Sequence, residues 1–181
     1  MSINSVGIFC AASESIASEY VTQAQEVGTL IGRMRLTMVY GGAAAGLMEQ
    51  TAQAAHNAGA HIIGVVPKIL EQRNRVSCLL DERVVTDNLS DRKDNILSRS
   101  DLLVALPGGI GTLDEIFHVL AAATIGYHCK PVVLYSTDGF WDDVIAMIRR
   151  LKQNGFVRCN VEELLLVARN IYELENILKE R

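Results

Sequence analysis

Apolar residues fall along this chain in two alternating patterns. Short unbroken apolar runs at 6–10, 37–40, 61–66, 102–106, 131–135 and 164–167 predict strands. Between them, apolar positions recur every three to four residues over 14–34, 47–57, 90–99, 116–124, 142–153 and from 171 onward, which predicts helices. Ser13 stands where a cap for the first long helix belongs. Asn57-Ala58-Gly59 closes the second helix, and Pro67 closes the third strand. Residues 68–88 are polar and mixed, and predict a loop with a short strand near 83–86.

Strands alternating with helices predict an α/β fold: one doubly wound parallel sheet with helices on both faces. The runs at 62–66, 102–106 and 132–135 are apolar throughout, as strands covered on both sides should be. No repeat, linker or low-complexity tract divides the 181 residues, so 1–181 reads as a single domain. Ligands of such sheets bind beyond the carboxyl ends of the strands, which directs attention to the strand-to-helix turns.

Composition narrows the choice of partner. A formal net charge of −4 argues against general affinity for nucleic acid or for acidic membranes, and leaves small phosphorylated ligands open. The four cysteines, Cys10, Cys78, Cys129 and Cys159, form no CxxC pair and read as reduced, mostly structural thiols. No apolar stretch is long enough to span a bilayer, and residues 1–12 lack the basic start of a signal peptide. The chain is expected to be soluble and cytoplasmic.

Two glycine turns follow strands. The Gly41–Gly46 turn resembles a dinucleotide fingerprint, but the next strand, His61-Ile62-Ile63-Gly64-Val65-Val66, offers no carboxylate for a ribose. That argues against a nicotinamide cofactor. The second turn is Leu106-Pro107-Gly108-Gly109-Ile110-Gly111-Thr112-Leu113-Asp114-Glu115. No lysine follows its last glycine, so it is no triphosphatase P-loop. Strand, glycine turn and helix still build an anion site: the backbone can approach a ligand, and the helix's free N–H groups receive a phosphate. Glu115 adds a carboxylate within reach of a bound nucleotide's sugar.

Structural readings compete with these. Thr112-x-x-Glu115 fits a capping box without chemistry. Asp91-Arg92-Lys93-Asp94 after Ser90 could be a solvated first helical turn. His56, His61, His118 and His128 show no metal spacing, and no metal is expected. Ala121-Ala122-Ala123 suits close helix packing.

Taken together, Asp91-Arg92-Lys93 and, about fifteen residues on, Pro107-Gly108-Gly109-Ile110-Gly111-Thr112-Leu113-Asp114-Glu115 resemble the Lonely Guy (LOG) family. Phe9-Cys10-Ala11-Ala12-Ser13, Val39-Tyr40-Gly41-Gly42, Gly46-Leu47-Met48, Gly64-Val65-Val66-Pro67-Lys68 and Lys130-Pro131-Val132 to Asp138-Gly139-Phe140 extend the likeness over nearly the whole chain. The resemblance implies a Rossmann-like fold and a phosphoribohydrolase that releases the base from nucleoside 5′-monophosphates, notably cytokinin ribotides. It implies Arg92 and Glu115 as catalytic residues, and no cofactor. It further implies substrate contacts at Ser13, Gly42, Lys93, Gly108, Gly109, Ile110, Gly111, Thr112, Leu113 and Asp114. It also implies a homodimer with the active site near the subunit interface. The small and apolar residues of the helix after Glu115 (Ile116, Phe117, Val119, Leu120 and on to Ala123) are candidates for that interface.

Several positions depart from the family pattern: Ala11, Ala12, Ala43, Glu49, Asn74 and Ala121. They concern the pocket rather than the Arg92–Glu115 pair, so the reaction class stands more firmly than the cytokinin assignment. The alternatives are an AMP nucleosidase of general purine salvage and a non-catalytic carrier like the molybdenum-cofactor carriers. An older family label, lysine decarboxylase, would need pyridoxal phosphate; Lys93 is the only lysine beside the expected site, and nothing else suggests that cofactor.

Overall fold

The computed structural model describes residues 3–157 and 160–181. Seven strands form one all-parallel sheet: β1 (Ser5–Phe9), β2 (Thr37–Tyr40), β3 (Ile62–Pro67), β4 (Glu82–Thr86), β5 (Leu102–Ala105), β6 (Val132–Tyr135) and β7 (Leu165–Ala168). Their order is β4-β3-β2-β1-β5-β6-β7. The chain winds outward from β1 through β2 and β3 to β4. It then returns to β5 on the other side of β1, so the winding direction reverses between β1 and β5.

The connections are helical: α1 (Ser18–Arg33), α2 (Gly46–Asn57), α3 (Lys68–Gln72), α4 (Leu89–Arg99), α5 (Ile110–Thr124), α6 (Asp142–Gln153), α7 (Val161–Leu164) and α8 (Ile171–Glu180). Alternate strand residues serve opposite faces. Ile8, Met38, Tyr40, Ile62, Val104 and Val133 pack with α1, α2 and α8. Phe9, Val39, Ile63, Leu103 and Leu134 pack with α4, α5, α6 and α7. This is the pleat acting on apolar runs: in β3, β5 and β6 every residue is buried, on one side or the other, while the edge strands β4 and β7 are partly exposed.

The first helix begins later than its apolar pattern predicts. Ser13 does not cap it: α1 starts at Ser18, with Ala17 before it and no side-chain cap. The physical reason lies in long-range bonds at the end of β1. Ala11 N–H donates to the Pro107 carbonyl (3.2 Å), and its own carbonyl accepts from Leu47 N–H (2.9 Å). Chain pinned this way to both glycine turns cannot coil until it has cleared the sheet's rim.

Residues 68–88 are also more ordered than their polar mixture predicts. β4 is the short strand expected near 83–86, here an edge strand of the sheet, and the short helix α3 is what the pattern does not predict. Residues between them lie back over the first glycine turn, with an isolated antiparallel bridge from Ala43 to Val76. Of the cysteines, Cys10 is buried, whereas Cys78 and Cys129 are exposed and hold nothing together. Cys159 lies outside the described residues.

Candidate active site

Two helices bring the candidate residues together from sites distant in sequence. α4 starts at a built cap: the Asn88 side chain accepts from Ser90 N–H (2.9 Å) and Asp91 N–H (3.0 Å), while its Nδ2 donates to Asp91 (2.8 Å). That fixes the helical phase so that Arg92 and Lys93 turn inward. Their side chains are only 11% and 12% exposed, so this turn is not a solvated one. Arg92 Nη1 donates to Glu115 Oε1 at 3.0 Å, and Nε donates to the Val65 carbonyl at 3.3 Å. Lys93 Nζ donates to both Asp114 oxygens, at 2.8 and 2.7 Å. One turn position further, His118 Nε2 meets Asp94 at 2.8 Å.

The planar guanidinium reaches this position by lying against the first glycine turn. A Cβ on Gly41 would stand 1.6 Å from Arg92 Nη2, so only glycine admits the arginine there. Gly41 is a site residue that the motif reading passed over. Its signal is a contact across fifty-one residues, which no local pattern carries.

α5 begins at Ile110, six residues before its apolar periodicity starts, and Gly109 is its N-cap. Thr112 is therefore the third helical residue and not a cap, and the capping-box reading of Thr112 and Glu115 fails. Glu115 lies in the second turn with its carboxyl on Arg92 instead. A Cβ on Gly108 would meet Thr112 Oγ1 at 2.1 Å, whereas Cβ atoms on Gly109 or Gly111 would meet nothing within 4 Å. The last two glycines face open space at the positive end of a helix, where backbone N–H groups lack intrahelical partners.

That open space is a cavity of about 350 Å³ beyond the ends of β1 and β5, the switch point of the winding. Ser13, Arg92, Lys93, Gly109, Gly111, Thr112, Asp114 and Glu115 line it, together with Cys10, Met48 and Leu89. The other four residues implied as substrate contacts lie outside the lining. Gly42 is buried, has φ +68°, and gives its carbonyl to Ser77 N–H. Gly108 is packed against Thr112, and Leu113 joins the core beneath α5. Ile110 is 83% exposed on the outer side of the turn.

The site's electrostatics are dominated by burial. Removal from water pushes the Glu115 carboxyl up to about 7, and nearby Asp114 adds to the rise; Arg92 and, less, Lys93 oppose it. The Cys10 thiol, buried beside it, is pushed well above its ordinary range by desolvation and by Glu115. A carboxyl poised near neutrality in a cavity is a chemically useful group: it can accept or hold a proton at physiological pH. Among the described residues no group of three or more His, Cys, Asp or Glu side chains is arranged to hold a metal ion. None of the described helices is long and apolar enough to cross a membrane.

A cavity at the switch point, with a glycine-rich helix start and a buried Arg–Glu pair on its lining, defines an α/β protein with its candidate site at the carboxyl ends of the central strands. Comparison with known proteins makes the assignment narrower. A family model described as "Possible lysine decarboxylase" matches residues 48–178. The cytokinin riboside 5′-monophosphate phosphoribohydrolase LOG4 of Arabidopsis thaliana is 34% identical over 173 residues, covering 96% of this chain and 80% of that protein. A probable cytokinin riboside 5′-monophosphate phosphoribohydrolase, LOGL2 of Oryza sativa, is 35% identical over 97% of this chain and 72% of its own. The chain belongs to the Lonely Guy family. Among solved structures, the molybdenum cofactor carrier protein of Chlamydomonas reinhardtii superimposes with a TM-score of 0.75 at 26% identity, covering 97% of this chain and 96% of that one. The fold therefore serves relatives named as hydrolases and a relative named as a carrier.

Proposed function

We propose that the protein hydrolyses the N-glycosidic bond of purine nucleoside 5′-monophosphates, of the cytokinin type, to free base and ribose 5-phosphate. The observation that carries this reading is the Arg92–Glu115 pair at 3.0 Å, buried at the wall of a cavity whose other wall is the start of α5. The 5′-phosphate sits at the N–H groups of Gly109 to Thr112, with the Thr112 hydroxyl beside it. That anchors the ribose so that its anomeric carbon faces Glu115. Departure of the base leaves positive charge on the sugar. The ionised Glu115 stabilises that charge and orients or deprotonates the attacking water. Arg92 stays protonated throughout, so it acts by holding Glu115 and by stabilising negative charge on the leaving base. The water's hydroxyl ends on the sugar and its proton, by way of Glu115, on the base. No cofactor takes part in this scheme.

The test is release of ribose 5-phosphate from AMP and from isopentenyladenosine monophosphate, with adenosine as the control. Phosphate binding energy is expected to raise turnover as well as affinity, so adenosine should be a far poorer substrate. Equal rates with adenosine and AMP would overturn the phosphate cradle. Preference for AMP would favour the general nucleosidase. Tight binding of a nucleotide with no turnover would favour a carrier.

The reading extends to a cytoplasmic homodimer with the site near the subunit interface. Ile116, Val119 and Leu120, candidates for that interface by their pattern, are buried within the monomer instead. The apolar surface left over lies further along: Ile125 is 69% exposed and Tyr127 81%, flanking a groove of about 860 Å³ that also includes Ala121, Ala122 and His118. A second copy covering this groove would adjoin the Asp94–His118 contact and hence the site. Sedimentation at micromolar concentration tests it; a fully active monomer would refute it.

A further inference from the structure

The two ion pairs across α4 and α5 differ in one respect. Arg92 and Glu115 are both buried, at 11% and 6% exposure, whereas Lys93 is 12% exposed and its partner Asp114 is 55% exposed. The lysine is held out of water; the aspartate is largely in it. Separating the first pair would strand two buried charges, but Asp114 can release Lys93 and return to solvent at small cost.

Lys93 also stands in a place that demands an anion. It shares the cavity with Gly109, Gly111 and Thr112, at the positive end of α5. An ammonium withdrawn from water beside a helix N-terminus is unfavourable unless a negative charge accompanies it. Asp114 is that charge, bonded through both oxygens. A phosphate entering the cavity would bring a second anion to the same wall. It would be repelled by Asp114 as long as Asp114 stayed in place, and it would find Lys93 already occupied.

We propose that Asp114 is an internal stand-in for the ligand's phosphate: it holds Lys93 while the cavity is empty and gives it up when a phosphorylated ligand arrives. The exchange rests on the nucleoside-monophosphate reading of the cavity and assigns regulation of affinity to that same site. By competing for Lys93, Asp114 keeps phosphate binding weaker than the cradle alone allows. It thereby favours release of a phosphorylated product. The device makes Lys93 a charge available only to ligands that can displace a carboxylate.

Calorimetric titration with inorganic phosphate and with ribose 5-phosphate tests this without requiring turnover. Asp114→Asn should bind both ligands more tightly than wild type, by roughly fivefold or more, because the competent state no longer has to be freed from its internal partner. Asp114→Ser, which should give the same gain, guards against an asparagine that finds a new bond. Asp94→Asn removes the same formal charge from the neighbouring contact with His118 and should change affinity by less than about twofold, since it leaves the Lys93–Asp114 pair in place. Lys93→Met should weaken binding, and Lys93→Met combined with Asp114→Asn should be no tighter than Lys93→Met alone. The proposal is overturned if neither Asp114 variant gains affinity, if Asp94→Asn gains as much, if the gain survives in the double variant, or if no form of the protein binds phosphate. A gain in a protein that does not hydrolyse AMP would keep the exchange and sink the hydrolase reading. Hydrolysis of AMP with no gain would do the reverse.

Discussion

The two glycine turns of this sheet look alike in sequence and are used in opposite ways. In the turn after β2, each critical glycine is filled from within the protein. A Cβ on Gly41 would strike Arg92 Nη2 at 1.6 Å, one on Gly42 would strike Val66 at 2.5 Å, and one on Gly46 would strike the Ser13 carbonyl at 2.4 Å. In the turn after β5, only Gly108 is filled in this way, by Thr112; Gly109 and Gly111 face nothing. One turn gives up side chains so that the protein can pack upon itself. The other leaves room that the protein does not use. Glycine spacing alone does not distinguish them; what a Cβ would meet does.

Breaking the first turn should have the largest effect. Gly41→Ala places a methyl where the guanidinium lies, so Arg92 must leave Glu115 and Val65 together. Stranding one half of a buried ion pair costs about 3–5 kcal/mol. Melting temperature should fall sharply, and AMP hydrolysis should be lost as fully as in Arg92→Lys, whose ammonium cannot reproduce a planar donor bonded in two directions. Glu115→Gln separates the two losses. It keeps the shape and one acceptor for Arg92, so the protein should remain folded while turnover falls by roughly two orders of magnitude or more. Wild-type activity in Gly41→Ala would show that the arginine's seat is dispensable.

A second, intermediate effect is a pH dependence with opposite signs for stability and activity. Burial raises the Glu115 carboxyl from its ordinary 4.5 to about 7, so the folded protein holds this proton more tightly than the unfolded chain. The resulting stabilisation is full below about 4.5 and is lost as pH rises through about 7. On the proposed mechanism turnover needs the ionised carboxylate and should rise over the same upper range. Thermal melts and AMP hydrolysis between pH 5 and pH 8, roughly one unit outside the transition at its upper end, check both. The slope in stability should flatten in Glu115→Gln. A rate that falls as pH rises through 7 would assign Glu115 a proton-donating role instead.

How much of this could be read from the sequence follows the same division between local and distant causes. β2 and α6 lie where their patterns place them, at Thr37–Tyr40 and Asp142–Gln153, and α8 starts at Ile171. Their apolar period and flanking residues are local facts. α1 starts four residues after its predicted first residue because bonds from Ala11 to Pro107 and Leu47 hold the preceding chain extended. α5 starts six residues early because Gly111 and Thr112, read as part of a turn, are already helical. The inward turning of Arg92 and Glu115 comes from resemblance to a family motif, since on pattern alone the capping-box reading of Glu115 is as good as the functional one and the solvated-turn reading of Arg92 is better. The seat on Gly41 and the pairing of Lys93 with Asp114 join residues far apart in the chain and are visible only in three dimensions.

The smallest effect is the sharpest test of the comparison. Gly111 is the second residue of α5, has no need of a left-handed backbone, and a Cβ there would meet nothing within 4 Å. By the protein's own packing, Gly111→Ala should therefore be harmless. It should even stabilise the fold, by a few tenths to about 1 kcal/mol, because alanine loses less backbone freedom than glycine on entering a helix. A ligand seated on the N–H groups of this turn would meet the new methyl at once. Affinity for inorganic phosphate and ribose 5-phosphate should fall while the melting temperature holds or rises. The corresponding change in the first turn, Gly41→Ala, should lower both. If Gly111→Ala leaves phosphate affinity and AMP hydrolysis at wild-type values, the open face of this turn is not where the ligand binds, and the contrast between the two turns is one of packing alone.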